Sequence, residues 1–314
     1  MPDYGHDIEF GYFLVPDAGD PEGVVETAIL ADRLGYDLLG VQDHPYQRRH
    51  LDTLSLLAFI LARTERVRVF QAVGNLPLRP PAVFAKAAAT LDQLSGGRFE
   101  AGLGAGGYLM PAQAMGAPTL TPGQSLEALE EAVAIVRAFW SGESGVRFGG
   151  RHYQLHGLKP GPVPAHPISV WLGAAKPRGL ALTGRVADGW VAPLMNYMPP
   201  ALTGPAQERI DRAARDAGRD PRAIRRIYLV PGEFAASPVT PTRDTDQAIV
   251  GPPEHWAEAL TRLSLELGFS DFILVAPPDP DTLRTYIEDV APEVRHRVAA
   301  VRAGVASPVE AGSK

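Results

Sequence analysis

The chain has 314 residues, a formal net charge of −6, no cysteine, and a hydrophobic share of 45%. Without cysteine, disulfides, thiolate metal sites and cysteine nucleophiles are excluded, and the acidic balance argues against a nucleic-acid surface, which needs a clustered basic face. No apolar run approaches roughly 18 residues, and Met1–Asp7 shows no signal-peptide pattern, so we expect a cytoplasmic protein that does not bind membranes.

Short apolar runs alternate with longer stretches of helical periodicity along most of the chain. The short runs are predicted to be strands, and they are Ile8–Val15, Leu38–Val41, Val67–Val73, Phe99–Leu103, Ile168–Leu172, Gly189–Ala192, Ile227–Val230 and Phe272–Val275. The stretches that follow them are predicted to be helices, and they are Glu22–Leu34, Leu51–Thr64, Ala82–Leu94, Pro122–Trp140, Gly179–Val186, Leu202–Ala217, Pro252–Gly268 and Asp281–Val301.

This alternation predicts an α/β fold with a parallel sheet and right-handed crossovers. A closed (β/α)8 TIM barrel uses all the strands and places its site at their C-terminal ends, whereas an open doubly wound sheet is the alternative. The segment 142–167, which is rich in proline and glycine and carries a hairpin pattern, is predicted to be an insertion between strands four and five. We therefore predict a single barrel domain over residues 1–303 and a flexible tail over 304–314.

The first candidate site residues follow strand two, at Asp43 and His44. Polar side chains directly after an apolar strand are unfavourable unless they face a pocket or bond to one another. His44 is the candidate acid or base, because imidazole exchanges a proton near neutral pH. Asp43 either orients His44 or accepts backbone donors in the turn. The alternative is an ordinary turn in which His44 bonds locally.

Glycines mark the ends of strands three and four. Gly74 and Asn75 indicate unusual backbone geometry close to a flat ligand, or else a generic turn. The segment 102–107 matches the dinucleotide pattern G-x-G-x-x-G, but it comes late in the chain and prolines follow it, which disfavours a dinucleotide site. We prefer the interpretation that Gly104, Ala105 and Gly106 form the floor of a ligand site. Their small side chains let a ring or a phosphate approach the backbone.

Strand five runs into a loop of small residues, Gly173, Ala174 and Ala175, that leads into a helix. Small residues expose backbone N–H groups, and a helix N-terminus favours anions. Lys176 and Arg178 add positive charge at the same place, so the loop is predicted to receive a phosphate. A tight turn with solvated basic residues is the alternative.

Aromatic side chains near the strand ends are predicted to line a substrate pocket, as small-molecule sites are mostly apolar. They are Phe13, Tyr108 and Trp190. No metal site is predicted, because His152 and His156 fall in a predicted hairpin and no H-E-x-x-H pattern occurs. The nucleophile pattern G-x-S-x-G is also absent. Of the classes of enzyme chemistry considered, this leaves transfer of a hydride or electron by a cofactor.

Several stretches of the sequence carry a resemblance to a known family: Gln42–Pro45, Asn75–Ala82, Leu91–Arg98, Gly102–Gly106 and Leu182–Trp190. In this order they resemble the bacterial-luciferase-like oxidoreductases, which use a reduced flavin or deazaflavin. The resemblance implies a barrel with the cofactor ring at its C-terminal mouth and with His44 near the reacting face. It also implies that a bulge at Gly74 and Asn75, with a non-proline cis peptide, backs the ring and that Gly173–Lys176 receives the phosphate.

The family divides by cofactor, into enzymes that use reduced FMN with oxygen for monooxygenation and enzymes that exchange a hydride with coenzyme F420. The Gly-Ala-Ala-Lys-Pro loop followed by Ala-Asp-Gly resembles the F420 branch, so we predict F420 and a small organic substrate, with FMN as the alternative. Some F420-dependent dehydrogenases place a glutamate acid after strand four, where this chain has 107–110 as Gly-Tyr-Leu-Met. Proton transfer is therefore left to His44, to Tyr108, or to no side chain.

Two other classes of function stay open at this point. A non-catalytic flavin-binding barrel is one, because the fold does not guarantee activity, although Asp43 and His44 argue against it. A barrel lyase or aldolase with Lys176 as a Schiff-base amine is the other. The resemblance further implies a homodimer and a flavin or F420 reductase as a partner.

Overall fold

The protein is described from a computed structural model, which covers residues 3–240 and 247–304. Parallel strands form a closed barrel: β1 (Glu9–Leu14), β2 (Leu38–Val41), β3 (Arg68–Gln71), β4 (Phe99–Gly104), β5 (Val170–Gly173), β6 (Gly189–Ala192), β7 (Arg225–Phe234) and β8 (Asp271–Val275). Each strand pairs in parallel with the next, and β8 pairs with β1. The predicted TIM barrel is confirmed, and the open sheet is wrong.

A helix or a helical series follows each barrel strand. These are α1 (Pro21–Leu34), α2 (Thr53–Leu61), α3 (Pro81–Ser95), α4 (Pro122–Trp140), α5 (Pro177–Val186), α6 (Pro200–Asp216), α7 (Pro253–Leu267), α8 (Pro280–Thr285) and α9 (Ala291–Arg302), with a π-helical turn (Tyr286–Val290) joining the last two. Seven of them begin at a proline, because proline at the first helical position loses no internal hydrogen bond, and five of these (α1, α3, α5, α6 and α8) begin one or two residues earlier than predicted.

Smaller elements complete the chain between these. They are a two-residue strand (Gly74–Asn75), 3-10 turns (Leu76–Leu78 and Pro221–Ala223), a short helix (Leu109–Ala114), an antiparallel hairpin (Val146–Gly149 and Gln154–Leu158) and a strand beside the end of β7 (Ile249–Gly251). No helix was predicted at Leu109–Ala114, which contains a proline. β7 is longer than predicted because its last residues pair with Ile249–Gly251.

The hairpin is the insertion predicted between the fourth and fifth strands. It is fastened to α4 by Glu131, whose carboxylate accepts the backbone N–H groups of Arg151, His152 and Tyr153 at 2.7–3.0 Å. Hydrogen bonding from these three groups outweighs burial and lowers the pKa of Glu131, so the carboxylate is charged at neutral pH. The tail predicted over 304–314 lies, from residue 305 onward, outside the described residues.

Side chains that point into the barrel close it from below. At the N-terminal ends of the strands, Arg68 Nη1 lies 3.0 Å from Glu100 Oε1, and Arg225 Nε lies 3.0 Å from Asp271 Oδ2. Above this charged layer, apolar side chains fill the centre, among them Phe70, Trp171, Leu38, Ile227 and Ile273. Within the described residues, the interior of the barrel is therefore closed below and open at the C-terminal ends of the strands, where TIM-barrel sites lie. Within the described ranges, no helix combines the length and apolarity that crossing a bilayer requires.

Candidate active site

A cavity of about 780 Å³ lies at the C-terminal ends of β2 to β6, within the range of small-molecule sites. All but two of the site residues predicted from the sequence line this cavity. They are Asp43, His44, Gly74, Asn75, Gly104, Ala105, Gly106, Tyr108, Gly173, Ala174, Ala175, Lys176 and Arg178. Loops that are up to 135 residues apart in the chain, from Asp43 to Arg178, thus meet in one place.

Phe13 and Trp190 do not line the cavity, which corrects their predicted role in a substrate pocket. Phe13 belongs to the apolar centre of the barrel, together with Ile273. Trp190 is fully buried on the outer face of β6, where its indole N–H donates to the carbonyl of Ala174 at 2.8 Å. Because successive strand side chains point to opposite faces, the neighbouring Val191 is the one that reaches the cavity.

Asp43 is buried and fully engaged below the cavity. Its carboxylate accepts hydrogen bonds from Gln71 Nε2 at 3.1 Å, from the backbone N–H of Asn75 at 2.8 Å, and from Arg79 at 2.7 and 2.9 Å. It makes no hydrogen bond to the ring of His44 within the described chain. Of the two roles predicted for Asp43, the contacts are those of an acceptor of donors in the turn, and its catalytic role stays a prediction.

Arg79 is one site residue that the sequence patterns missed. Its guanidinium joins Asp43 to Asp52, whose Oδ2 lies 3.0 Å from Arg79 Nη2 and whose other oxygen caps the N-terminus of α2. Arg79 therefore ties the turn after β2 to both α2 and the backbone of Asn75. The carboxylate of Asp43 indicated that some cation must lie beside it, because a buried charge needs a partner. The spacing of residues in the sequence did not show that this cation is Arg79.

His44 lies in the cavity with its ring held on several sides. It stacks on Tyr46 with 5.4 Å between ring centroids and meets Tyr108 edge-on at 5.8 Å. Gln42 Nε2 is 3.1 Å from His44 Nδ1. Burial lowers the pKa of His44, the neighbouring His50 lowers it further, and the charge of Asp43 opposes both only in part. The imidazole is consequently neutral at pH 7.

The floor of the cavity is formed around Val73. A Cβ at Gly173 would lie 2.6 Å from Val73 Cγ2, and one at Gly104 would lie 2.9 Å from the same atom. These glycines therefore leave room for a valine side chain, which the predicted glycine-lined floor did not include. The non-proline cis peptide implied by the family resemblance lies between Ala72 and Val73, directly before Gly74.

Two polar features belong to the lining of the cavity: the buried amide of Asn75, and a loop with two cations, of which Arg178 pairs with Glu127 at 3.8 Å. Asn75 is 4% exposed, and its Oδ1 has no hydrogen-bond partner among the described residues. The loop that carries Ala175 and Lys176 is exposed and leads into the N-terminus of α5, where Arg178 adds a second positive charge. One end of the cavity thus offers a buried hydrogen-bond acceptor, and the same cavity offers an anion-binding loop.

The sequence model of the luciferase-like monooxygenase family matches residues 8–238, most of the chain. The chain belongs to this luciferase-like family. An F420-dependent glucose-6-phosphate dehydrogenase from Kineococcus radiotolerans is 29% identical over 230 residues, which are 70% of this chain and 68% of the relative. The predicted family and the predicted oxidoreductase are therefore confirmed.

Solved structures of luciferase-like proteins share the barrel. An F420-dependent secondary alcohol dehydrogenase with an F420–acetone adduct superposes with a TM-score of 0.79 at 20% identity, covering 92% of this chain and 99% of the other. A type II Baeyer–Villiger monooxygenase from Pseudomonas putida with FMN superposes with a TM-score of 0.74 at 16% identity, covering 92% and 99%. Proteins named for each of the two predicted cofactors thus have this fold.

The residues of this luciferase-like site fit a flavin or deazaflavin phosphate. The orphan Oδ1 of Asn75 suits a ligand that brings its own N–H group, since a buried unpaired acceptor is unfavourable. The loop at Gly173–Arg178 suits a phosphate. Lys176 is exposed, whereas an amine that forms a Schiff base is desolvated or placed next to another cation inside a pocket, so the lyase alternative is not supported.

Proposed function

We propose that this luciferase-like protein is an F420-dependent oxidoreductase that transfers a hydride to or from an uncharged organic substrate beside His44. The observation that carries the proposal is that His44 and the loop Gly173–Arg178 line the same cavity. A phosphate-bearing cofactor held by the loop can therefore extend its ring toward the imidazole. Bound F420 would supply the hydride at its C5 position, which no side chain of the protein can do.

The cofactor end of the cavity is built from Val73, Asn75 and the loop with Lys176 and Arg178. Asn75 Oδ1 would accept a ring N–H group of the cofactor, and Asp43 fixes the backbone of Asn75 before any ligand arrives. Lys176 and Arg178 attract the phosphate. The name of the Kineococcus relative, an F420-dependent enzyme, supports F420 over FMN.

The substrate end of the cavity is aromatic and apolar. Tyr46, Tyr108, Leu194 and Tyr197 line it, with Tyr108 59% exposed and Tyr197 75% exposed at the mouth. The charged side chains among the described lining residues are Asp43, Lys176 and Arg178, apart from the titratable His44. Asp43 is neutralised by Arg79, and the two cations lie at the phosphate loop. No second anion-binding group remains for a phosphorylated sugar, so we propose an uncharged substrate.

The protein's own contribution to the reaction is orientation and proton handling. The aromatic side chains around His44 position an apolar substrate against the ring of the cofactor. Neutral His44 forms a hydrogen bond with the oxygen of the substrate at the carbon that gains or loses hydride. Tyr108, whose ring contacts His44, is the second candidate for proton transfer.

The decisive experiment is a titration of the purified protein with F420 and with FMN, each oxidised and reduced, followed by fluorescence. We expect micromolar binding of F420 and weaker binding of FMN. Lys176→Gln should weaken F420 binding about tenfold, in keeping with the loss of one charge-assisted contact. Arg185→Gln is the matched control. Arg185 lies in the last turn of α5, whereas Lys176 directly precedes that helix, and Arg185 pairs with Glu130 outside the cavity.

Preference for reduced FMN in that titration would replace this proposal with the second candidate, a two-component monooxygenase. The fold of the FMN-bound monooxygenase supports that candidate. Binding of both cofactors without turnover of any carbonyl or alcohol would instead favour the non-catalytic flavin-binding barrel. In each case the cofactor bound and the products formed distinguish the outcomes.

We also propose a cytoplasmic location, a homodimer, and a flavin or F420 reductase that supplies the reduced cofactor. Exchange of cofactor with a separate reductase requires an open site, and Tyr108 and Tyr197 at the mouth are exposed. Analytical ultracentrifugation tests the homodimer, because one sedimenting species of twice the chain's 33.6 kDa is expected. A species of monomer mass across micromolar concentrations would rule the homodimer out.

A further inference from the structure

Gln42 is not among the residues that line the cavity, yet it contacts the ring of His44. Its side-chain Nε2 is 3.1 Å from His44 Nδ1. In this orientation of the amide, the NH2 group donates to Nδ1, which therefore carries no proton. Which nitrogen of a neutral imidazole holds the proton is set by the bond that the other nitrogen makes. The single ring proton therefore lies on Nε2.

Two hydrogen bonds fix the backbone of Gln42 and so limit the positions that its side chain can reach. The Gln42 N–H donates to the carbonyl of Leu14 at the end of β1 at 3.3 Å. Its carbonyl accepts the hydroxyl of Thr53, the first residue of α2, at 2.7 Å, and Thr53 is 1% exposed. Gln42 is thus fixed between a barrel strand and a helix, as a residue that orients another group must be.

The ring of His44 is fixed in the same way, and one nitrogen is left for a ligand. Stacking on Tyr46, with an interplanar angle of 19°, and edge contact with Tyr108 set the plane of the imidazole. His44 Nε2 makes no hydrogen bond within residues 3–240 or 247–304, and His44 lines the cavity. The nitrogen that carries the proton is therefore the one without a partner in the protein.

We propose that Gln42 is a positioning residue that holds His44 as the Nε2–H tautomer, so that His44 presents a hydrogen-bond donor to the substrate oxygen. The identity of that oxygen rests on the proposed function, whereas the tautomer does not. A donor at this position matches a carbonyl oxygen, which only accepts. It does not match an alcohol that must lose its proton to Nε2.

With this tautomer, His44 acts as a hydrogen-bond donor and not as a base, so the substrate oxygen exchanges its proton with water. In the reducing direction, a hydride from the reduced deazaflavin adds to the carbonyl carbon, and the electron pair of the C=O π bond moves to oxygen. The oxygen then takes a proton from water, which gives an alcohol and oxidised cofactor. Neutral His44 stabilises the developing negative charge on oxygen through Nε2–H, and such donors contribute most in a water-poor site.

The test is ¹⁵N NMR of the cofactor-free protein labelled at histidine, recorded at pH 8, where His44 is neutral. The His44 signals are those missing from the His44→Asn spectrum. We expect the shift pattern of a proton on Nε2 in the wild type. In Gln42→Glu, the carboxylate accepts a bond from Nδ1–H, so the pattern should invert to a proton on Nδ1. Gln47→Glu is the matched control, because it places the same charge nearby on an exposed side chain and should leave the pattern unchanged.

Kinetics then connect the tautomer to the reaction. Gln42→Glu should lower kcat for carbonyl reduction about tenfold or more while F420 affinity stays unchanged, because the donor toward the oxygen is lost. Gln42→Met, which removes the contact without adding charge, should give a mixture of tautomers and an intermediate kcat. A wild-type proton on Nδ1, or the same pattern in Gln42→Glu as in wild type, would overturn the inference. If the proposed function fails instead, F420 does not bind although the tautomer pattern is as expected.

Discussion

Arg79 and Asp43 form a bidentate ion pair beneath the cavity, with 2.9 Å from Nε to Oδ2 and 2.7 Å from Nη2 to Oδ1. The side chain of Asp43 is completely buried and that of Arg79 is 14% exposed. The same carboxylate accepts the backbone N–H of Asn75, which lines the cavity. The ion pair therefore holds the turn after β2 and the cavity floor in one arrangement.

Replacement of Arg79 by Met should destabilise the protein strongly. It leaves Asp43 charged and buried without its cation, and loss of one member of a buried pair lowers the free energy of unfolding by about 3–5 kcal/mol. Chemical denaturation measures this. Arg185→Met is the control, because its pair with Glu130 is exposed and should contribute about 0.2–1 kcal/mol. Equal losses in the two variants would show that the Asp43 pair does not stabilise the fold.

The sequence was sufficient to locate most of the cavity because strand periodicity shows where each strand ends. His44, Asn75 and Lys176 all follow such ends, and a closed parallel barrel brings those ends together. The face of β6 to which the side chain of Trp190 points could not be predicted in the same way. All the residues of β6 are buried, so its sequence has no alternation of polar and apolar residues to show which side chain points inward.

Long-range pairing is the second feature that local patterns do not contain. Arg79 and Asp43 are 36 positions apart, and Gln42 contacts His44 only in the conformation of the turn after β2. Spacing in a sequence predicts helices and strands because their periods are fixed. It does not predict which of several arginines reaches a buried carboxylate, since that depends on the path of a loop.

Replacement of Gly173 by Ala should disturb the cavity floor. The added methyl group would lie 2.6 Å from Val73 Cγ2 and 3.3 Å from Val73 Cγ1, which forces Val73 or the strand to move. Overpacking of this kind lowers the free energy of unfolding by about 1–3 kcal/mol, and we expect F420 affinity to fall at the same time. Thermal unfolding and fluorescence titration measure the two effects.

Gly107→Ala is the matched control for the cavity floor, because nothing lies within 4 Å of the position of its Cβ. It should change the stability by less than about 0.5 kcal/mol, as surface substitutions usually do. Loss of stability in Gly107→Ala but not in Gly173→Ala would contradict the packing of Val73 described above.

The activity should depend on pH through His44. Burial, with the nearby His50, lowers the pKa of His44 below its ordinary value of 6.5. The other titratable groups around the ring are Asp43, Tyr46 and Tyr108. Protonation of Nδ1 sets its N–H against the NH2 group of Gln42 and breaks the contact that orients the ring, so kcat/KM should rise with pH below 6.5 and be level above it. His44→Asn should lower kcat about 100-fold, abolish this rise and leave F420 binding intact, and an unchanged profile in that variant would assign the titration to another group.

The stability should depend on pH in the opposite direction through His166, below the barrel. Its Nδ1 lies 2.7 Å from Asp92 Oδ1 and its Nε2 lies 3.5 Å from Glu100 Oε1. The nearby carboxylate of Glu100, opposed by burial and assisted by Asp92, raises the pKa of His166 above 6.5. A raised pKa stabilises the folded state fully below the unfolded value of 6.5, and that contribution is lost as the pH rises through the folded value.

The unfolding free energy of the wild type should therefore fall relative to His166→Gln as the pH is raised from below 6.5 to above the folded pKa of His166. Denaturant titrations of both proteins at matched pH values measure the difference. His296→Gln is the control, because His296 is exposed on α9 and its replacement should give a curve parallel to the wild type. If the His166→Gln curve is also parallel to the wild type, the ion pairs of His166 do not form in the folded protein.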